Sequence, residues 1–237
     1  MAMKIQREEV IQPLLDLFEQ PHYLEIGVFE GKTFHALHAE RRVGVDPEFP
    51  FSLGQARREH PNAEYHMATS DEYFGRIVAP GERFDVVFLD GLHQFEQTLR
   101  DLLNALCFVR PDGIIVIDDV KPFDYLAAIE GREKWMEVRR KIAPDKPLWM
   151  GDVYRLVFFI ESFLQQYRFM TVAETHGQAV LWRRARPEVP DKRMRELAAL
   201  DYGDLVLEMD HLRVRPLGEI LECICRDRRA MGFSTRT

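Results

Sequence analysis

The sequence predicts an α/β fold built on a doubly wound, mostly parallel sheet, and three features indicate it. Short apolar segments alternate with segments of helical periodicity over most of the chain, which is typical of strand–helix–strand units. The segments 84–90 and 113–118 are almost continuously apolar, as expected for strands buried on both faces. The late segments 169–174 and 178–183 are separated by only three residues, which predicts a hairpin and hence an antiparallel edge of the sheet.

The predicted elements follow in a regular order. An N-terminal helix carries apolar residues at helical spacing from Val10 to Phe18, and Pro21 ends the run. The glycines of 27–31 mark a turn, as does the Pro-Asp-Gly sequence at 111–113. Strands are predicted at 23–28, 42–46, 63–67, 84–90, 113–118, 169–174 and 178–183, and helices at 32–38, 53–59 and 95–108.

Two parts of the chain lie outside this alternation. The segment 121–150 is rich in aromatic residues, and we expect it to form a lid over a substrate pocket, although core packing explains the same residues equally well. The chain should therefore comprise a domain over 1–185, with 121–150 as its substrate insert, and a helical C-terminal extension over 186–237. Apolar residues of the extension recur at three- and four-residue steps, which predicts a packing appendage or the interface of a homodimer.

Composition and charge exclude several classes of protein. The 237 residues include 32 Lys and Arg against 39 Asp and Glu, a net charge of −7, which argues against a nucleic-acid partner. No apolar stretch reaches the ~18 residues of a spanning helix, so no membrane partner is expected. The first residues lack the apolar core of a signal peptide, and three cysteines make no disulfide framework. We therefore expect a soluble cytoplasmic protein.

The first strand leads into a glycine turn that is suited to a ligand. Glu25, Gly27 and Gly31 form an acid-x-Gly-x-x-x-Gly pattern, and the glycines let the backbone approach a ligand closely. A pyrophosphate-binding turn has Gly-x-Gly-x-x-Gly instead, and the nearby Glu25 would repel an anion. The turn therefore favours a cationic ligand, and a nicotinamide-dependent enzyme is the least expected class.

The second and third strands also end in polar residues. Asp46 can accept two hydrogen bonds from a ribose diol, and Thr69, Ser70 and Asp71 can bind the edge of an adenine. Each of these residues alone is more typical of a helix cap or a turn. Their order after successive strands favours a shared ligand site, because ligands of open α/β sheets bind at the carboxyl ends of the strands.

This pattern resembles the class I S-adenosylmethionine-dependent methyltransferases. The similarity lies in the first motif, in the acidic second motif at Asp46 and in the order of the elements, and it covers roughly residues 20–185. It implies a seven-stranded Rossmann-like sheet with an antiparallel last strand, and S-adenosylmethionine as the cofactor. By position it implies that Gly27 and Gly31 border the methionine part, that Asp46 holds the ribose and that Asp71 lies near the adenine. We expect the same cofactor site to include Glu25, Thr69, Ser70 and Asp90.

The fourth and fifth strands end in Asp90 and in the pair Asp118-Asp119. Neighbouring strand ends face the same crevice, so we expect the three carboxylates to lie within a few ångströms. Such a cluster requires protonation, basic partners or a bound cation. An all-oxygen site favours Mg²⁺, Mn²⁺ or Ca²⁺ over zinc. The alternative for Asp118-Asp119 is a structural cap at the end of a strand.

The separation of Asp90 and Asp118 resembles the metal-dependent O-methyltransferases, which include catechol and bacterial sugar O-methyltransferases. The resemblance implies that Asp90, Asp118 and Asp119 are metal ligands. The Asp-Gly-x-His run at 90–93, with Gly-Asp-Val-Tyr at 151–154, is similar to a bacterial family that methylates small molecules. Several sugar enzymes carry an acidic base where this chain has Leu92, so the base must lie elsewhere.

His93 is the candidate general base, with Asp90 as a second catalytic candidate. A neutral imidazole accepts a hydroxyl proton near pH 7. His93 could instead cap the helix that starts after Gln94, or bind the carboxyl end of the cofactor. The other histidines, including His176, form no recognisable constellation, and we expect them on the surface or in packing roles.

The sequence thus predicts an O-methyltransferase that uses S-adenosylmethionine and Mg²⁺, or another hard divalent cation, on a hydroxyl of a sugar or natural product. Two alternatives remain open. One is a metal-independent methyltransferase with His93 or Asp90 as the base. The other is a non-catalytic module that binds S-adenosylmethionine.

Overall fold

The computed structural model describes residues 5–187, 190 and 192–234. The strands are β1 (His22–Ile26), β2 (Arg41–Asp46), β3 (Ala63–Met67), β4 (Phe84–Leu89), β5 (Val109–Ile117), β6 (Tyr167–Val172), β7 (Ala179–Arg183) and β8 (Val214–Arg215). The helices are α1 (Arg7–Leu15), α2 (Lys32–Ala36), α3 (Leu53–Glu59), α4 (Ser70–Glu72), α5 (Phe95–Phe108), α6 (Arg132–Ile142), α7 (Arg155–Phe163), α8 (Met194–Ala199), α9 (Tyr202–Leu207) and α10 (Leu217–Ala230). A π-helical turn, Tyr73–Ile77, follows α4, and a 3-10 turn, Met209–Leu212, precedes β8.

The strands form one sheet in the order β3-β2-β1-β4-β5-β7-β6-β8. Strands β1 to β5 are parallel, and β7 is antiparallel to both β5 and β6. The predicted doubly wound α/β fold and its hairpin are confirmed. The predicted count of seven strands is wrong by one, and the hairpin does not form the edge. The two-residue strand β8 pairs in parallel with β6, and so short a strand leaves no apolar pattern in the sequence.

Helices cover both faces of the sheet. Along β4, Val86 and Phe88 pack on one face, and Val87 and Leu89 on the other, as successive strand residues must. The face of Val86 is covered by α1, α2, α3 and α10, and the opposite face by α5, α7, α8 and α9. The C-terminal extension therefore supplies α10 to one face and β8 to the sheet.

The element boundaries follow the sequence pattern with a few differences. Helices α3 and α5 and strand β3 have the predicted bounds. Strand β5 begins four residues before the predicted start, because the Pro-Asp-Gly segment lies within the strand at a register shift between β4 and β5. No helix in the described part of the chain combines the length and the apolar character that crossing a bilayer requires.

The strand order reverses between β1 and β4, and ligands of open α/β sheets bind beside such a switch point. Backbone hydrogen bonds continue the sheet just past the strand ends. Asp90 N donates to Ile26 O (2.9 Å), and Asp118 N donates to Leu89 O (3.0 Å). Gly27 N donates to Val45 O (2.9 Å). These bonds set the glycine turn and the acidic strand tips side by side.

Candidate active site

The glycine turn after β1 is in direct contact with the tip of β4. Gly27 has a φ of +89°, and a Cβ at this position would lie 2.0 Å from the carbonyl oxygen of Asp90. Only glycine fits there, because both the left-handed backbone and the contact exclude a side chain. The turn continues to Gly31, after which α2 begins.

Asp46, at the end of β2, is oriented by this turn. Its Oδ2 accepts a hydrogen bond from the backbone N–H of Phe29 (2.8 Å), and its Oδ1 accepts one from Glu48 N (2.9 Å). Each carboxylate oxygen can accept a further bond. The half-buried Asp46 is therefore held in place and can still accept hydrogen bonds from a ribose diol.

Glu25 lies beneath the turn and is buried. Burial raises the pKa of Glu25 well above its ordinary value, although the hydrogen bond from the Tyr23 hydroxyl (2.6 Å) acts in the opposite direction. This shift disfavours a negative charge on Glu25, so the attraction of Glu25 for a cationic ligand is weaker than its residue type suggests.

The three residues predicted at the adenine lie just beyond β3 and make contacts within the protein. Thr69 caps α4 by accepting from Glu72 N (3.2 Å). Gln97 Nε2 donates to Ser70 Oγ (3.2 Å), and Asp71 pairs with Arg100 (2.9 Å). These contacts tie α4 to α5. A role for Thr69, Ser70 and Asp71 in binding adenine stays a prediction.

The acidic tips of β4 and β5 converge. Side-chain ligand atoms of Asp90, His93 and Asp119 lie within 4.8 Å of one another, as do those of Asp118, Asp119 and His176. Asp118 and Asp119 are buried, and the Asp90 side chain is 18% exposed. The sequence-based expectation that the three carboxylates share one crevice agrees with this geometry. We call these five residues and Arg7 the strand-tip cluster.

Basic side chains neutralise the strand-tip cluster. The Arg7 guanidinium contacts Asp118 Oδ2 through Nε, and the same nitrogen lies 3.5 Å from Asp90 Oδ2. His93 Nδ1 contacts Asp119 Oδ2. His176 Nε2 lies 3.3 Å from Asp118 Oδ1 and 3.5 Å from Asp119 Oδ1. Of the compensations that the sequence left open, basic partners are therefore present.

The ionisation of the cluster follows from these contacts. Burial lowers the pKa of His93, but the charge of Asp119, the hydrogen bond to it and the charges of Asp90 and Asp118 together outweigh burial and raise this pKa to about 9. Burial likewise opposes a positive His176, yet hydrogen bonds to Asp118 and Asp119 raise its pKa to about 10. Burial and the charge of Asp118 raise the pKa of Asp90. In the structure both histidines are therefore positively charged at neutral pH.

Asp152 and a strained backbone position His93. Asp152, which is buried, accepts from Phe95 N (2.9 Å) at the start of α5 and pairs with Arg155 (2.6 Å). This anchors the loop between β4 and α5. Both partners of the His93–Asp119 pair have positive φ, +20° and +63° respectively. Such conformations are uncommon outside glycine and concentrate at functional sites.

The expectation that His176 is a surface or packing residue is wrong. Gly177 has a φ of +116°, and a Cβ there would lie 2.4 Å from Lys121 N, so the hairpin turn fits tightly against the segment after β5. Val120 N donates to Gly177 O (2.9 Å), which fixes this approach. Because β7 begins opposite Ile117 at the end of β5, the turn of the hairpin lies at the carboxyl edge of the sheet, beside the strand tips.

Arg7 was also missed, and the sequence carries no signal for it. It lies 111 residues from Asp118 and immediately before an ordinary amphipathic run. Only the packing of α1 against the sheet brings the two side chains together.

The donor set of the cluster fits a divalent cation. Asp118 Oδ1 and Asp119 Oδ2 are buried and have no hydrogen bond of good geometry among the described residues, although each is in ion-pair contact with a histidine. Carboxylate oxygens are the ligands that hard cations prefer, and neutral imidazole extends the choice to softer divalent metals. A bound cation would have to replace some of the positive charge that Arg7, His93 and His176 now supply.

Aromatic residues from 121–150 border the cluster. The Phe123 ring lies 6.0 Å from the His176 ring, and the Trp149 ring lies 5.4 Å from that of His93. Trp135 is buried and packs on Trp149. Tyr125 is largely exposed. Part of this segment is thus core packing and part of it borders the site, and its function as a lid stays a prediction.

Comparisons with known proteins found a family and several solved structures that this chain resembles. Residues 24–120, which include the glycine turn, Asp46 and the acidic strand tips, match a family described as a methyltransferase domain. A search of curated proteins found no match. The solved structures that are similar include the O-methyltransferase TomG of Streptomyces achromogenes, involved in tomaymycin synthesis and bound to S-adenosylmethionine. It is 19% identical, with a TM-score of 0.52 over 77% of this chain and 82% of that one.

Two further structures share the fold. A Staphylococcus aureus protein, provisionally described as a caffeoyl-CoA O-methyltransferase, is 13% identical, with a TM-score of 0.54 over 76% of this chain and 84% of that one. A provisionally described O-methyltransferase from Klebsiella pneumoniae is 16% identical, with a TM-score of 0.50 over 78% and 84%. Residues 24–120 therefore resemble a methyltransferase domain, and the chain has the Rossmann-like fold of these methyltransferase structures.

Proposed function

We propose that this chain transfers the methyl group of S-adenosylmethionine to a hydroxyl oxygen of a small molecule, a sugar or another natural product, with the help of a divalent cation, Mg²⁺ or a similar hard ion. The oxygen specificity draws on the similar structures, which are described as O-methyltransferases. We further propose that the chain binds neither nucleic acid nor a membrane, that it is located in the cytoplasm and that it forms a homodimer. The three cysteines are free, which fits a reducing compartment.

The observation that carries the proposal is the contact between the glycine turn and the acidic tip of β4. Gly27 approaches the backbone of Asp90 so closely that no Cβ fits between them. A cofactor lying on the turn would therefore adjoin the strand-tip cluster. Donor site and acceptor site would then be neighbours, as transfer between them requires.

The residues of the chain divide the work between binding and proton handling. Gly27, Gly31 and Asp46 would hold the cofactor, which supplies an electrophilic methyl group when bound. Asp90, Asp118 and Asp119 would hold the cation, which when bound lowers the pKa of a coordinated hydroxyl. Asp119 engages His93 Nδ1. A cation bound at the carboxylates would offset the charge that holds the second proton of His93, and the neutral imidazole could then take up the proton of the acceptor at Nε2.

The surroundings of the cluster suit an acceptor with an apolar part. Phe123 and Leu92 are exposed large apolar residues in the two segments that flank the strand tips. Apolar walls would exclude water from the acceptor, and the cluster would orient its hydroxyl. This supports a natural product that combines a ring or chain with a hydroxyl group.

A second candidate function, metal-independent methyl transfer, is favoured by one specific observation. Arg7, His93 and His176 already supply three cationic side chains to three carboxylates. In that case Asp90, or His93 after it has lost its second proton, would act as the base without a metal.

The test is methyl transfer from labelled S-adenosylmethionine to a panel of catechols, sugars and polyketide alcohols, before and after exhaustive chelation. We expect chelation to reduce the rate by about 100-fold or more, because the acceptor loses its alignment, and added Mg²⁺ to restore it. Asp118→Ala, checked for folding by circular dichroism, should give a similar loss that Mg²⁺ does not restore.

Each other outcome selects a different function. An unchanged rate in chelator would establish the metal-independent reaction. Cofactor binding by calorimetry without turnover on any acceptor would point to the non-catalytic module. Failure to bind S-adenosylmethionine at all would overturn the proposal.

A further inference from the structure

We propose that Arg7 occupies the cation position of the strand-tip cluster, so that its guanidinium and a divalent cation exclude each other. Arg7 would thus set the affinity and selectivity of the cation site. The inference concerns the same cation site as the proposed function and rests on it.

The guanidinium bridges the tips of two adjacent strands. Its Nε contacts Asp118 Oδ2 and lies 3.5 Å from Asp90 Oδ2, and its Nη2 lies 3.4 Å from His176 Nε2. Asp90 and Asp118 are two of the three carboxylates that would hold a metal. A cation bound by both oxygens would need the space and the negative charge that Arg7 now uses.

The fold delivers Arg7 to this place. Arg7 is the first residue of α1, whose Val10, Ile11 and Leu14 are fully buried against the sheet. Glu9 closes the helix start by accepting from Gln6 N (2.6 Å). The backbone of Arg7 is therefore anchored one turn from the core, and its position is not that of a freely moving tail.

Arginine differs from the two histidines of the cluster in one decisive respect. A histidine can lose its proton and turn from a competitor into a ligand, whereas a guanidinium stays charged in proteins. Arg7 can make room for a cation only by moving its side chain. That side chain is 33% exposed, so an outward rotation into solvent is open to it without displacing α1.

The arrangement has a functional consequence. When divalent cations are scarce, Arg7 would keep the carboxylates of β4 and β5 together and would block weakly bound ions. A cation would enter only if it binds the carboxylates more strongly than the guanidinium does. This selects for ions of high charge density over monovalent ions.

The experiment measures Mn²⁺ binding to the full chain by electron paramagnetic resonance, without substrate or turnover. The variants are Arg7→Gln, Arg7→Lys and Arg58→Gln, in which an exposed arginine of α3 gives the same change in net charge. We expect Arg7→Gln to bind Mn²⁺ at least tenfold more tightly than the parent chain. Arg7→Lys should stay near the parent value, as should Arg58→Gln.

A second measurement separates displacement from remote repulsion. In Arg7→Ala, added guanidinium ion should weaken Mn²⁺ binding more than tetramethylammonium at equal ionic strength, because guanidinium can refill the vacated position. The parent chain should show no such difference. Thermal melts report whether each variant folds. If Arg7→Ala or Arg7→Gln does not fold, the other variant is used in both measurements.

Several results would overturn the inference. Unchanged or weaker Mn²⁺ binding in folded Arg7→Gln would do so, as would equal tightening in Arg58→Gln. Absence of Mn²⁺ binding in both the parent and Arg7→Gln would also do so. A methyl-transfer rate that ignores chelation while Arg7→Gln tightens Mn²⁺ binding would refute only the metal assistance, so the two failures can be told apart.

Discussion

Two buried ionic clusters of this protein differ in how their charges are balanced. The strand-tip cluster brings three carboxylates together with three basic side chains. A second cluster joins α10 to the hairpin, and there a single carboxylate, Asp227, accepts from Arg168 (2.9 Å) and from the indole N–H of Trp182 (3.0 Å). Arg184 lies 3.6 Å from the same carboxylate.

Under the proposed function, this difference separates a structural contact from a candidate binding site. Around Asp227 donors outnumber acceptors, because Oδ2 accepts two hydrogen bonds and Oδ1 lies 3.6 Å from Arg184 Nε. At the strand tips adjacent acids repel one another and depend on cations brought from distant parts of the chain. The strained backbone conformations, at His93 and Asp119, belong to the strand-tip cluster.

The largest expected effect tests the catalytic side. We expect His93→Gln to lower methyl transfer by about 10²- to 10⁴-fold, the usual contribution of a general base. His211→Gln is the matched control, because His211 is paired with the buried Glu161 and does not belong to the strand-tip cluster. Steady-state kinetics on the acceptor that gives turnover is the measurement. A loss of less than a few-fold in His93→Gln would transfer the role of base to Asp90.

The next effect concerns stability. We expect Asp227→Ala to reduce the free energy of unfolding by about 2–3 kcal/mol, because it leaves the buried indole N–H of Trp182 without its acceptor and removes the ion pairs of two partly exposed arginines. Asp118→Asn should cost less than about 1 kcal/mol, since it also relieves repulsion among the acids. Urea denaturation of both variants provides the comparison. An equal loss of unfolding free energy in the two variants would contradict the conclusion that the two clusters differ in how much they stabilise the fold.

The smallest effect tests how the hairpin delivers His176. Gly177→Ala should lower the free energy of unfolding by about 1–3 kcal/mol, because alanine is strained at this φ and contacts Lys121. It should also reduce methyl transfer, since His176 moves away from Asp118. Gly218→Ala in α10 is the control, because a Cβ there meets open space, and it should be neutral or stabilising by up to about 1 kcal/mol. Full activity in a destabilised Gly177→Ala variant would show that the position of His176 does not depend on the close fit of the hairpin turn against Lys121.

The apolar pattern of the sequence determined most of the fold. Residues buried on both faces give the runs in β4 and β5, and their ends mark where Asp90 and Asp118 must lie, since parallel strands share one carboxyl edge. Local spacing likewise determined Gly27, Asp46 and the hairpin, because a turn or strand end is decided by a few neighbouring residues.

Only the tertiary structure decided what balances the acids. Arg7 meets Asp118 across 111 residues, and β8 joins the sheet through two residues, so neither contact leaves a periodic trace in the sequence. His176 reaches the cluster through the pairing of β7 with β5. Strand ends follow from local apolar patterns, whereas the partner of a buried charge depends on which distant element packs beside it.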